Sequence, residues 1–132
     1  MDMIYEACRI LKQVLQARAP YDTGNLAMNS IRIDRNRGCV LIGGQDIAPY
    51  APFTNEPWTS AKLEGRQNPN EGWVQKAIEE ALPIIQRVLS GKATDEDVRA
   101  ARKQYKDIYK ERKQKRIELL KQKKDKIDGG ES

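Results

Sequence analysis

A chain that performs chemistry near neutral pH needs a base, a nucleophile, a metal set or a phosphate cradle, and each of these is scarce here. None of the 132 residues is a histidine, which removes the commonest general base and the nitrogen ligand of mixed zinc sites. The two cysteines are Cys8 and Cys39. Cys8 falls on the apolar side of a helical pattern and Cys39 opens a strand pattern. Both read as reduced core residues; a disulfide or a metal site is the other reading. Glu79 and Glu80 supply two adjacent carboxylates, but they fall on the polar side of a helix, where acids are ordinarily solvated. The segment Gly38 to Gly44 is bounded by glycine yet lacks the Walker lysine and the Gly-x-Gly-x-x-Gly spacing. No Gly-x-Ser-x-Gly elbow is present. The expectation is a protein that is not an enzyme and holds no cofactor and no metal.

The elements that position these residues are legible from periodicity. Ile4, Ala7, Cys8, Leu11, Val14 and Leu15 recur at steps of three and four, which predicts a helix from about Asp2 to Arg18. Pro20 ends it, because the residue before a proline is pushed out of the helical region. Thr23 to Ile31 predicts a short helix, capped by Asp22 or Thr23 and turned by Gly24. Ile31-Arg32-Ile33 and Cys39-Val40-Leu41-Ile42 predict a hairpin around the turn residues Arg35 to Gly38. Residues 50–54 read weakly, as a further strand or a helical turn, because of Pro49 and Pro52.

Residues 56–72 read as a long polar loop punctuated by Pro57, Gly65, Pro69 and Gly72, of the length that is often functional or mobile. Asn68 or Asn70 is expected to cap the following helix. Val74, Ala77, Ile78, Ala81, Leu82, Ile85, Val88 and Leu89 then form a strong helical stripe, with Pro83 expected to kink or restart it. After Ser90-Gly91, Thr94 caps a third helix whose first turn holds Asp95, Glu96 and Asp97. That helix is expected to reach Ile127, about 50 Å. The charged block from Lys110 to Arg116 interrupts any heptad seam, so a coiled coil is not expected.

One stretch carries more than local structure. Pro20-Tyr21-Asp22-Thr23-Gly24-Asn25-Leu26, followed by Ser30-Ile31, is paired downstream with Tyr50-Ala51-Pro52-Phe53-Thr54-Asn55-Glu56. Together they resemble the head–tail joining or tail-completion proteins of long-tailed bacteriophages. Those read Pro-x-Asp-Thr-Gly-x-Leu-x-x-Ser-Ile, then a hairpin, then Tyr-Ala-x-x-x-Glu, a variable loop and a helix. The motif residues here are Asp22, Thr23, Gly24, Leu26, Ser30, Tyr50 and Ala51. The likeness covers residues 1–90. It departs where the family often has Gly-Thr after the glutamate and this chain has Pro57-Trp58, and residues 91–132 have no counterpart.

The resemblance implies a structural protein of the virion neck. It implies a homo-oligomeric ring, hexameric, between the head connector or head-completion protein and the tail tube or tail terminator protein, with DNA passing through. The protein would be made in the host cytoplasm and end in the virion. The implied fold agrees with the pattern reading: α+β, a small antiparallel sheet packed against two helices, plus a long charged helical extension. Glu56, a loop carboxylate that caps or pairs locally on its own reading, becomes a subunit-contact ion pair by its place in the motif. Trp58, beside Pro57, reads as an exposed contact residue, and Trp73 as core.

Charge divides the chain. Residues 1–90 hold ten Lys/Arg and ten Asp/Glu, and residues 91–132 hold fourteen and nine, so the tail carries the whole net charge of +5. This places a boundary near Ser90-Gly91 between a 1–90 core and a 91–132 extension. The core stripes are expected to close before Gly91, which would make the extension dispensable for folding. Tyr105, Ile108 and Tyr109 are its expected partner contacts. Its Lys/Arg block reads either as a solvated face or as a contact to DNA phosphates or an acidic partner. No apolar run approaches the ~20 residues of a membrane span, and the N-terminal residues lack a signal-peptide pattern. The runner-up function is an accessory protein that binds nucleic acid through the basic helix.

Overall fold

The computed structural model describes residues 2–20, 30–44, 54–55, 59–60, 66–68 and 70–129. The fold is mixed α+β. Helix α1 spans Met3–Arg18. Its N-terminus is capped by Asp2, whose carboxylate accepts from the Tyr5 N–H at 3.1 Å, relieving one of the donors a helix start leaves unpaired. Its C-cap, Ala19, already has an extended ψ of 143°, as a residue preceding proline must. Of the predicted stripe, Ala7, Cys8, Val14 and Leu15 are buried and Leu11 packs against the core, but Ile4 is exposed; Ile10 and Ala17, outside that stripe, complete the buried face.

Strands β1 (Arg32–Asp34) and β2 (Cys39–Leu41) form the expected antiparallel hairpin, with Ile33 opposite Val40. Its turn is held by Asp34, which accepts from the Arg37 N–H at 3.2 Å. Gly38 closes the turn at φ +64°, and a Cβ there would sit 3.1 Å from the Ile4 side chain. Backbone conformation and close approach to α1 therefore both select glycine. At the open end Arg32 donates to the Ser30 carbonyl at 2.8 Å and the Gly43 carbonyl at 2.7 Å. The hairpin lies against α1.

The segment read as a long polar loop holds two short paired strands among its described residues. Strands β3 (Thr59–Ser60) and β4 (Arg66–Gln67) pair antiparallel within it. Two-residue strands leave no alternation to detect, which is why composition alone suggested a loop.

Helix α2 runs Trp73–Leu89 without a restart at Pro83. Proline removes one N–H and so orphans the Glu79 carbonyl. Both residues occupy exposed positions, where water can take up the lost bond. The helix ends at Gly91, φ +74°. There the Lys92 N–H reaches the Arg87 carbonyl at 2.8 Å and the Gly91 N–H reaches the Val88 carbonyl at 3.1 Å, the paired bonds of a Schellman ending. Helix α3 spans Asp95–Gly129. Its start is the expected cap in reciprocal form: the Asp97 N–H bonds Thr94 Oγ1 at 3.1 Å, and the Thr94 N–H bonds Asp97 Oδ2 at 3.0 Å.

The core does not close before Gly91. Val98 and Tyr105 of α3 belong to the same buried cluster as Ile10, Val14, Trp73, Ala77, Ala81 and Val88. The residues that suggested a free extension are widely spaced along α3, and that spacing is what one helix needs to lie along another. The Ser90-Gly91 boundary is thus one of charge and of chain direction, and packing crosses it. No helix among the described residues is long and apolar enough to cross a membrane.

Candidate functional site

Three helices are locked together by one carboxylate. Arg18, in the last turn of α1, donates to Glu80 of α2 through Nε at 2.9 Å and Nη2 at 2.7 Å. Tyr105 of α3 donates its hydroxyl to the same carboxylate at 3.1 Å. The Arg18 hydrogen bonds hold the Glu80 carboxyl below its usual range, while burial, more than the adjacent Glu80, raises the Tyr105 phenol. Glu79 remains on the exposed face. Its neighbour, expected to be solvated too, is instead drawn into a bidentate ion pair, the geometry that gives Arg–carboxylate contacts direction.

A second clamp lies nearby. Arg112 of α3 donates to the Ala17 carbonyl and, at 2.8 Å, to the Ala19 carbonyl. These are acceptors at the end of α1, where a helix has unpaired carbonyls and a partial negative charge. Nothing in the sequence singled out Arg112 from its basic block, and the partners lie 93 and 95 residues away.

A third polar knot secures the start of α2. Gly72 occupies the cap position and has no side chain to offer. Asn55 fills the role from a distance: its Oδ1 accepts from the Val74 N–H at 3.0 Å, and its carbonyl accepts from the Gly72 N–H at 2.9 Å. Thr54 Oγ1 accepts from the Trp73 indole at 2.9 Å, and the Thr54 carbonyl accepts from buried Asn68 at 3.0 Å. Asn68 was expected to cap α2; it spends its side chain on Thr54 and on the Asn70 N–H at 2.9 Å. Asn70 contributes its carbonyl to the Trp73 N–H at 3.0 Å. Trp73 is core, as expected.

These clamps fix the orientation of α2, and its outer face is the candidate site. The inner face uses small residues, Ala77 at 1% and Ala81 at 0% exposure, which let α1 approach closely. Three large apolar residues of the stripe turn the other way. Ile78 is 41% exposed, Leu82 44% and Leu89 48%, while Ile85, between them in sequence, is half-buried and packs against the core. Positions 78, 82 and 89 are four and seven residues apart and so share one side of the helix. Apolar rows of this kind on a surface mark contact sites.

The expected site residues distribute unevenly. Asp22, Thr23, Gly24, Leu26, Tyr50, Ala51, Glu56 and Trp58 lie outside the described residues. Ser30 is fully buried, with Ile31 beside it in the core. Tyr105, expected to reach a partner, is buried in this chain's own core, and Ile108 and Tyr109 pack against that core half-buried. The docking of α3 on α1 uses them internally. What remains outward on α3 is its far half: every side chain from Ile117 to Asp125 is exposed, Leu119 and Leu120 included. Cys8 and Cys39 are free thiols, and burial pushes the Cys8 thiol up, with Cys39 a lesser cause. Among the described residues no cluster of His, Cys, Asp or Glu has the arrangement of a metal site.

Comparison with known protein families, with characterised proteins and with solved structures finds no match to this chain.

Proposed function

We propose that this chain is a structural protein of a bacteriophage neck, acting as one subunit of a ring, six copies by the family pattern, that completes the tail end and joins it to the head connector. The observation that carries the reading is the outward apolar row Ile78, Leu82 and Leu89 on a helix held at its start by Asn55 and at its middle by Arg18. A lone subunit leaves this row in water, and a neighbouring copy of the same chain would cover it. The Asp22-Thr23-Gly24 and Tyr50-Ala51 motifs support the same reading by resemblance. The work is mechanical: hold the tube end on one side and the connector on the other, and leave a passage for DNA. Glu56 and Trp58 are the proposed contacts to a neighbouring subunit or ring.

The charged far half of α3 favours a second role or a second reading. It is exposed and carries Lys121, Lys123 and Lys124, so it is available to DNA in the passage or to an acidic neighbouring ring. Negative-stain imaging of the purified chain, alone and mixed with a phage head connector, tests the proposal. Closed rings support it. Isolated monomers in both samples sink it.

A further inference from the structure

One face of α1 is not used by the core and opens into a cleft of about 240 Å³. Tyr5, Arg9, Lys12, Gln13 and Gln16 line it from α1, Ile33 closes it from β1, and Arg102 closes it from α3. Three of these side chains are cationic, and no carboxylate lines the cleft among the described residues. Glu6, the nearest acid along the helix, is engaged with Arg9 at 3.1 Å. Two guanidinium groups lie over the Tyr5 ring, Arg35 at 4.1 Å and Arg9 at 5.6 Å from its centre, which holds Arg9 beside the cleft.

Two polar atoms set this cleft apart. The Arg102 Nε–H and the Gln13 Oε1 are both buried, and neither has a hydrogen-bond partner among the described residues. A buried unpaired donor on a cation is costly, and native structures rarely keep one without a reason. Both atoms belong to residues of the same cleft. The Gln13 amide can turn about its last bond, which replaces Oε1 with an N–H donor in almost the same volume. The cleft then offers an Arg102 fork, the Gln13 amide and the Lys12 ammonium to one acceptor-rich anion.

We propose that the cleft is a binding site for a phosphate group, either a free phosphate or a phosphodiester of a nucleic-acid backbone. A tetrahedral oxyanion accepts several hydrogen bonds at once, and arginine meets it with two parallel N–H groups. A shift of the Arg102 side chain toward the cleft lets its orphaned donor meet the anion, which also offsets Lys12 and Arg102, the two cleft cations other than the Glu6-paired Arg9. The site is separate from the outward row of α2, so it stands or falls independently of the ring.

The test is a titration of the full-length protein with inorganic phosphate, followed by NMR of the Arg102 Nε–H and Gln13 side-chain signals. The expected result is saturable binding that shifts both signals and weakens by roughly tenfold or more in Arg102→Gln and in Lys12→Gln. Circular dichroism checks that both variants keep the fold, and Lys121→Gln, far along α3, should bind phosphate as the parent does. A short DNA duplex is then added. Competition with phosphate, lost in Arg102→Gln, identifies a backbone phosphodiester as the occupant. Phosphate binding that the duplex does not disturb identifies a free phosphate. Absence of saturable binding, or equal affinity in the parent and both cleft variants, overturns the proposal.

Discussion

Arg18 and Glu80, 62 residues apart, meet through two parallel hydrogen bonds of 2.9 and 2.7 Å. The pair ties the end of α1 to the middle of α2, and Tyr105 brings in α3 on the same carboxylate. Glu80 is held below the ordinary glutamate range, chiefly by Arg18. A carboxyl depressed in the folded state contributes stability above its unfolded value and loses it as pH falls through the folded value. Melting temperature should therefore fall as the solution is acidified below about pH 4.5. Glu80→Gln should lower stability at pH 7 by about 0.5–1 kcal/mol, modest because the pair is partly solvated, and should flatten the acid decline. Asp97 is depressed too, by its bonds to Thr94, so some decline persists. Thermal melts from pH 3 to 7 on both proteins decide the matter; parallel curves would show that the pair adds nothing.

The raised Tyr105 phenol works at the other end of the scale. Its contribution is complete below the unfolded tyrosine value, about 10, and is lost as pH rises from there through the folded value. Tyr105→Phe should remove that alkaline decline, leaving whatever the lysines produce. Denaturant midpoints between pH 8 and 11 measure the difference.

Docking of α3 gives a pair of truncations with opposite outcomes. Ending the chain after Ser90 removes Val98 and Tyr105 from the core cluster and Arg112 from the end of α1. The loss of Tyr105 alone is worth ~3 kcal/mol by analogy with other buried aromatic truncations, so this form should be unfolded or only partly folded. Ending it after Arg116 removes only side chains that are exposed up to Asp125 and should leave the melting temperature within a few degrees. Arg112→Met, which keeps the stem and removes the two bonds, should cost about 1–3 kcal/mol. A stable, cooperative 1–90 fragment would restore the two-part organisation that charge alone suggests.

Asn55 and Asn68 hold the start of α2 from outside the helix. Asn55→Ala should cost about 1 kcal/mol, as loss of a helix cap does. Asn68→Ala should cost at least as much, because it removes the hydrogen bonds of buried Asn68 to both the Thr54 carbonyl and the Asn70 N–H. Deleting residues 66–68 removes strand β4 and this knot, so the fold itself should suffer. Hydrogen exchange at Val74 and its neighbours would report the loosening locally.

The sequence was informative where structure is periodic or local. Most of the α1 stripe, the α2 boundaries, the β1–β2 hairpin and the Thr94 cap follow from spacing, turn residues and capping chemistry. What it hid is non-local. Arg112 looks like any other base in a run of bases, and Glu80 looks like its solvated neighbour Glu79, until the fold brings α1 beside them. Pro83 suggested a break, since nothing in the chain says that the orphaned carbonyl faces water. The apolar pattern of α2 was visible as one broad stripe. Only packing reveals that Ala77 and Ala81 face inward while Ile78, Leu82 and Leu89 do not.

That division of α2 bears the central claim, and a single substitution on it tests the claim most directly. Leu82→Glu places a charge in the outward row without touching the buried face, so the isolated subunit should keep its circular dichroism spectrum and melt cooperatively. Sedimentation velocity with the connector present should show the parent chain in closed, ring-sized assemblies and the variant as a monomer. A parent chain that stays monomeric with the connector, or a Leu82→Glu variant that assembles as well as the parent, would contradict the account.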